Sequence, residues 1–104
     1  MKEILLIAIN YEQYSEWFRY LTKNIPLTML NKRRRPLAID ILTDNYHIFI
    51  RPNSESCYRG RRPDYHYAYE LEVNSYLLAT GSKQLKYLDD VIDIVKGEFD
   101  ETNN

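Results

Sequence analysis

Leu37–Arg51 reads LAIDILTDNYHIFIR, two alternating apolar runs on either side of Asp44-Asn45. Two such runs about a two-residue Asp-Asn turn predict a β-hairpin. Side chains alternate across a strand, so Tyr46, Ile48 and Ile50 share one face of it and His47, Phe49 and Arg51 the other.

Working outward, Lys2–Ile9 (KEILLIAI) is a short continuous apolar run and reads as a buried strand. Asn10 then offers an N-cap with Gln13 in the capping-box position. Tyr11, Tyr14, Phe18 and Leu21 recur at helical spacing, which predicts an amphipathic helix over Tyr11–Lys23, ended by Asn24 and Pro26. Pro26–Pro36 reads as a connection with no long element, carrying the run Lys32–Arg35. On the other side of the hairpin, Pro52–Pro63 is a polar loop. Tyr65–Val73 alternates Tyr65, Tyr67, Tyr69 and Leu71 with His66, Ala68, Glu70 and Glu72, which favours a strand; a helix over Asp64–Leu78 is the competing reading. Tyr76–Thr80 (YLLAT) is a further short apolar run. Ser82 is placed to cap a last helix whose apolar stripe is Leu85, Leu88, Ile92, Val95 and Phe99, and Glu101–Asn104 reads as a frayed tail. The order β-α-β-β-β-(β)-α predicts an α/β (α+β) fold: one domain over residues 1–104, with a small mixed sheet of four to five strands flanked by an N-terminal and a C-terminal helix.

With 104 residues, 44% apolar and 28% charged, the chain has the composition of one globular domain with a single small core. Ten tyrosines point either to an aromatic surface as well as a core or to an AT-rich genome. The lone Cys57 forms no internal disulfide, as in a reducing cytosol. The most apolar run, Ile4–Ile9, is too short to span a bilayer, and no signal peptide is visible. A cytoplasmic protein without membrane contact is the expectation. The net charge of −1 conceals a basic middle: residues 32–62 carry eight positive and three negative side chains, whereas residues 63–104 carry three positive and nine negative. A block of that kind attracts polyanions even in a near-neutral chain.

Catalytic arrangements are sparse. A Cys–His pair of Cys57 with His47 or His66 is conceivable, since nearby arginines would favour the thiolate, but a plain loop thiol accounts for Cys57. The spacing fits no zinc pattern, so neither metal nor cofactor is expected. Glu70 and Glu72 would share a strand face and Asp89, Asp90 and Asp93 a helix face; both read as solvated charge. No glycine-rich phosphate loop is present, and Thr80–Lys83 is at most a weak anion site at a helix start. The arginines are the stronger signal, because a planar guanidinium fork suits phosphate or carboxylate. Arg59, Arg61 and Arg62 lie between Tyr58 and Tyr65, the basic-aromatic mixture that binds single strands. Lys32, Arg33, Arg34 and Arg35 would assist if they fold alongside, and Arg51 lies just upstream.

Three segments resemble parts of a P-loop ATPase core, that of phage packaging terminases in particular. Ile4–Leu21 resembles the strand and helix after the nucleotide loop. Arg59–Glu70 (RGRRPDYHYAYE) resembles the run through the second acidic motif, and Tyr76–Ser82 the next strand. The lysine loop is absent and Tyr69 stands at the magnesium-binding aspartate, with Glu70 at the catalytic glutamate. The resemblance therefore implies a degenerate or truncated relative that does not hydrolyse ATP. Together these readings predict a small non-enzymatic protein of phage or mobile-element type that contacts nucleic acid, DNA or RNA, through its arginine-rich loop. The alternatives are a protein-interaction module or host-factor inhibitor meeting an acidic protein surface, and a degenerate nucleotide-binding protein.

Overall fold

The computed structural model describes residues 1–25, 29–33, 38–69 and 74–100. Strand β1 (Lys2–Ala8) runs into helix α1 (Tyr11–Asn24), and β2 (Met29–Arg33), β3 (Ala38–Leu42) and β4 (Tyr46–Pro52) follow. A four-residue helix, α2 (Glu55–Tyr58), precedes β5 (Tyr65–Ala68). Helix α3 (Ser75–Ala79), the two-residue β6 (Lys83–Gln84) and α4 (Asp89–Lys96) complete the described chain. The strands form one mixed sheet in the order β2-β3-β4-β1-β5-β6. β1 lies parallel to both β4 and β5, while β2, β3 and β4 form an antiparallel meander.

Local sequence accounts for much of this. The hairpin forms about Asp44-Asn45, with Ile41 opposite Ile48 and the Thr43 N–H donating to the Tyr46 carbonyl at 2.9 Å. Asn10 caps α1 by accepting from the Gln13 N–H at 2.7 Å. Gln13 Oε1 reaches back to the Ile9 N–H at 3.0 Å, one residue before the usual capping-box partner. β1 is continuously apolar because both faces of the sheet are covered: Ile4, Leu6 and Ala8 pack beneath α1 and α4, and Leu5 and Ile7 pack beneath α2 and α3. The faces of β4 are those expected, with Ile48 and Ile50 in the larger cluster and Phe49 in the smaller.

Several expectations are corrected. The connection after α1 contains β2, which makes, among the described residues, five strands of four or more residues besides the short β6. The loop after β4 contains α2, and Tyr76–Thr80 lies largely in helix α3, capped by Asn74 Oδ1 on the Leu77 N–H at 3.0 Å. Five residues of mixed apolar character satisfy either period, and the asparagine cap together with one buried leucine, Leu77, decides for helix. Ser82 does not cap a helix. It is buried against His66, and the last helix starts only at Asp89. In α1 the buried line is Tyr14, Trp17 and Leu21, with Phe18 partly buried and Tyr11 exposed. β5 ends at Ala68, and Glu70, Glu72 and the Glu101–Asn104 tail lie outside the described residues. No helix among the described residues is long and apolar enough to cross a membrane.

Candidate nucleic-acid interface

In open parallel sheets ligands usually sit at the carboxyl ends of the strands. At the three central strands that edge carries Asn10, Asn53 and Tyr69 after β1, β4 and β5, without a cationic side chain among them, and Arg33 ends the outer strand β2 there. The opposite edge is basic. The register that sets Ile4 beside Tyr65, and Tyr65 beside Lys83, brings the starts of β1, β5 and β6 together. Asp64 fastens them: its carboxylate accepts from the Glu3 N–H at 2.9 Å, its N–H donates to the Glu3 carbonyl at 2.9 Å, and its carbonyl accepts from the Lys83 N–H at 3.0 Å. Around this clamp Lys2, Arg62 and Lys83 line a cavity of about 280 Å³ walled by Pro63 and Gly81. A larger cleft of about 590 Å³ is lined by Lys2 and Lys96, but also by Asp44 and the carboxyl end of α4. The negative end of a helix dipole opposes an anion there.

The loop leading to the cavity is built rather than loose. Gly60 takes a φ of 85° after α2, a conformation open to glycine, and its N–H donates to Tyr76 Oη at 2.6 Å. The Tyr58 hydroxyl accepts from Asn74 Nδ2 at 2.7 Å, and the Arg61 N–H returns to the Tyr58 carbonyl at 3.1 Å. Arg59 and Arg62 are exposed on this scaffold. Arg61 is turned onto the sheet, its guanidinium 4.6 Å from the Phe49 ring centre and 3.8 Å from Glu3 Oε2. With 38% of its side chain still exposed, it bridges loop and sheet.

Other expected site residues are deployed differently. Arg51 is a structural group: it donates to Asp40 Oδ1 at 2.9 Å and to the carbonyls of Ile39 and Ile50 at 3.2 and 3.0 Å, with only 11% of its side chain exposed. Asp40 also faces His47 Nε2 at 3.0 Å, while His47 Nδ1 lies 3.7 Å from Glu3. Burial pushes the Asp40 carboxyl up, but the hydrogen bonds from His47 and Arg51 and their charges outweigh it and hold its pKa below the usual value. Tyr58 and Tyr65 are buried, Tyr58 in the smaller core cluster and Tyr65 edge-on to Phe99, so neither presents a ring for stacking. Lys32 and Arg33 lie on β2, four strand spacings from β5, roughly 19 Å across the sheet. Arg33 stands opposite Ala38, at the carboxyl rather than the amino edge, so this pair does not fold alongside the loop. Arg34 and Arg35 lie outside the described residues.

Lys2 is the contributor that sequence reasoning missed, and Lys83 stood there only within the weak Thr80–Lys83 anion site, at a helix start rather than at the first residue of β6. A lone lysine at the first residue of a strand means nothing until the parallel register brings the strand starts together. Catalytic combinations do not assemble among the described residues. His66 Nδ1 pairs with Ser82 Oγ at 2.8 Å, but both residues are buried, and His47 is bound to carboxylates rather than to Cys57. Burial pushes the His66 pKa down to about 4, and its Nε2 has no hydrogen-bond partner among the described residues. Among the described residues no group of three or more His, Cys, Asp or Glu side chains is arranged to hold a metal ion. No protein-family model matches the chain, no curated protein matches it and no solved structure matches it.

Proposed function

We propose that this chain is a small non-enzymatic protein that contacts nucleic acid through the basic amino edge of its sheet. The observation that carries the reading is the convergence of Lys2, Arg62 and Lys83 on one cavity, with exposed Arg59 on the anchored loop beside it. Cations on a rigid scaffold bind phosphates without reading bases. The burial of Tyr58 and Tyr65 removes the stacking that would favour single strands. Binding is therefore indifferent to sequence and steeply salt-dependent, the logarithm of affinity falling by roughly 0.9 per phosphate contact per decade of salt on duplex DNA.

Fluorescence anisotropy on DNA and RNA oligonucleotides across a salt series tests this. An Arg59→Ala, Arg62→Ala variant weakens binding equally for all sequences and flattens the salt slope by about two contacts. Absence of binding at low salt rejects the reading. A protein-interaction role is the outcome if a cellular partner is retained after nuclease treatment while purified oligonucleotides fail to bind. The resemblance of Arg59–Glu70 to a packaging ATPase segment is consistent with a role beside nucleic acid and, with Tyr69 in the aspartate position, with no hydrolysis of ATP.

A further inference from the structure

We propose that the outer flank of α1 is a self-association surface, along which α1 of a second copy of this chain lies antiparallel. The two flanks of this helix are used differently. On one, the Trp17 ring lies 5.4 Å from the Tyr67 ring and the Tyr20 hydroxyl donates to the Asp89 carboxylate, so β5 and α4 occupy that side. On the other, among the described residues, Tyr11, Glu12, Ser15, Phe18 and Arg19 line an open, largely apolar groove of about 530 Å³. Tyr11 is 56% exposed there, its ring stacked on the buried Tyr14 at 6.3 Å.

Spacing and charge name the occupant. Tyr11, Ser15 and Phe18 stand at i, i+4 and i+7, the stripe by which one helix docks along another. Glu12 and Arg19 border that stripe one heptad apart, and both are exposed. Neither forms an ion pair among the described residues. In an antiparallel pair of α1 helices about a two-fold axis, Glu12 of each copy meets Arg19 of the other. The Phe18 ring of each then lies over Ser15 of the other, whose small side chain leaves room for it. A parallel pair would instead set Glu12 against Glu12 and Arg19 against Arg19. The stripe is thus complementary to itself, as an isologous interface requires. The contact is also small. A helix of 14 residues is roughly 21 Å long, and a pair of that length buries less than the roughly 1,000 Å² of a stable interface. The dimer is therefore reversible and concentration-dependent.

Sedimentation equilibrium of the free protein over a wide concentration range tests this. The weight-average mass rises from the 12.5 kDa of one chain toward twice that. Arg19→Glu weakens the association by about tenfold or more, because the two-fold axis counts each lost pair and each new repulsion twice. Glu12→Arg does the same, and both variants keep the circular dichroism of the wild type. Mixing the two variants in equal amounts restores association, since one chain then offers only positive charge at the two positions and the other only negative. A wild type that stays monomeric at every concentration overturns the inference and leaves the groove to a helix of another protein. A dimer unmoved by Arg19→Glu overturns the placement, and variants that remain monomeric when mixed overturn the antiparallel register. Every arm omits nucleic acid, so none of these outcomes bears on the nucleic-acid reading.

Discussion

Acidifying the protein from about pH 6.5 to about pH 4 should remove about 3 kcal/mol of stability through one residue, His66. The imidazole has no solvent exposure, and among the described residues only one of its nitrogens finds a hydrogen-bond partner, Ser82. Desolvation therefore disfavours the cation and lowers the folded-state pKa from 6.5 to about 4. Between those values the unfolded chain binds a proton that the native protein refuses, so stability rises with pH across the window. It is fully present above about pH 6.5 and falls as the pH drops, with no further loss from this group once the native protein also binds the proton, below about pH 4. Two and a half pH units at about 1.4 kcal/mol each set the full loss at about 3.5 kcal/mol, of which about 3 has gone by pH 4, where half of the native imidazole is protonated. Urea denaturation of the wild type and a His66→Asn variant over a pH series isolates the effect. Asparagine places an amide near Nδ1, keeps a partner for Ser82 and does not titrate. The difference between the two proteins should slope steeply through the window. A flat difference would refute the neutral, dry placement of His66, since carboxylate titration cancels between them.

Two further substitutions probe the sheet faces. Asp40→Asn leaves Arg51 turned inward without its counter-charge and should cost about 1–3 kcal/mol at neutral pH by denaturant titration. Because the Asp40 pKa is lowered, this cost should shrink as the pH falls below the ordinary aspartate value and the wild-type carboxylate protonates. Leu77→Ala removes the one buried side chain of α3 from a cluster with six buried members among the described residues, so a loss of about 2–5 kcal/mol in thermal or urea unfolding is expected. A loss below about 1 kcal/mol would show that α3 does not seal that face.

Local chemistry carried a good part of the architecture. The apolar run of β1, the asparagine cap and 3.6-residue spacing of α1, and the Asp-Asn turn of the hairpin each act within a few residues, where sequence alone decides. YLLAT was not legible in the same way, because five apolar-rich residues fit a strand or a helix until Asn74 and the pocket for Leu77 choose. The candidate site divides along the same line. Arg59 and Arg62 stand out in the sequence because they crowd together in a polar loop.

Which arginines remain at the surface was decided only by tertiary structure. Asp40 and Arg51 meet because the antiparallel register of β3 and β4 brings neighbouring positions of one sheet face together, and that contact turns one expected phosphate ligand into an internal ion pair. Tyr58 and Tyr65 disappear into opposite clusters because successive elements pack on opposite faces of the sheet. Lys2, Arg62 and Lys83 converge across more than half of the chain only because β1, β5 and β6 run parallel, with Ile4 of β1 level with the first residues of β5 and β6. The sequence by itself therefore determined the elements and the basic character of the middle third. The edge of the sheet that became the basic cavity was determined by non-local strand pairing, whose register no local pattern encodes.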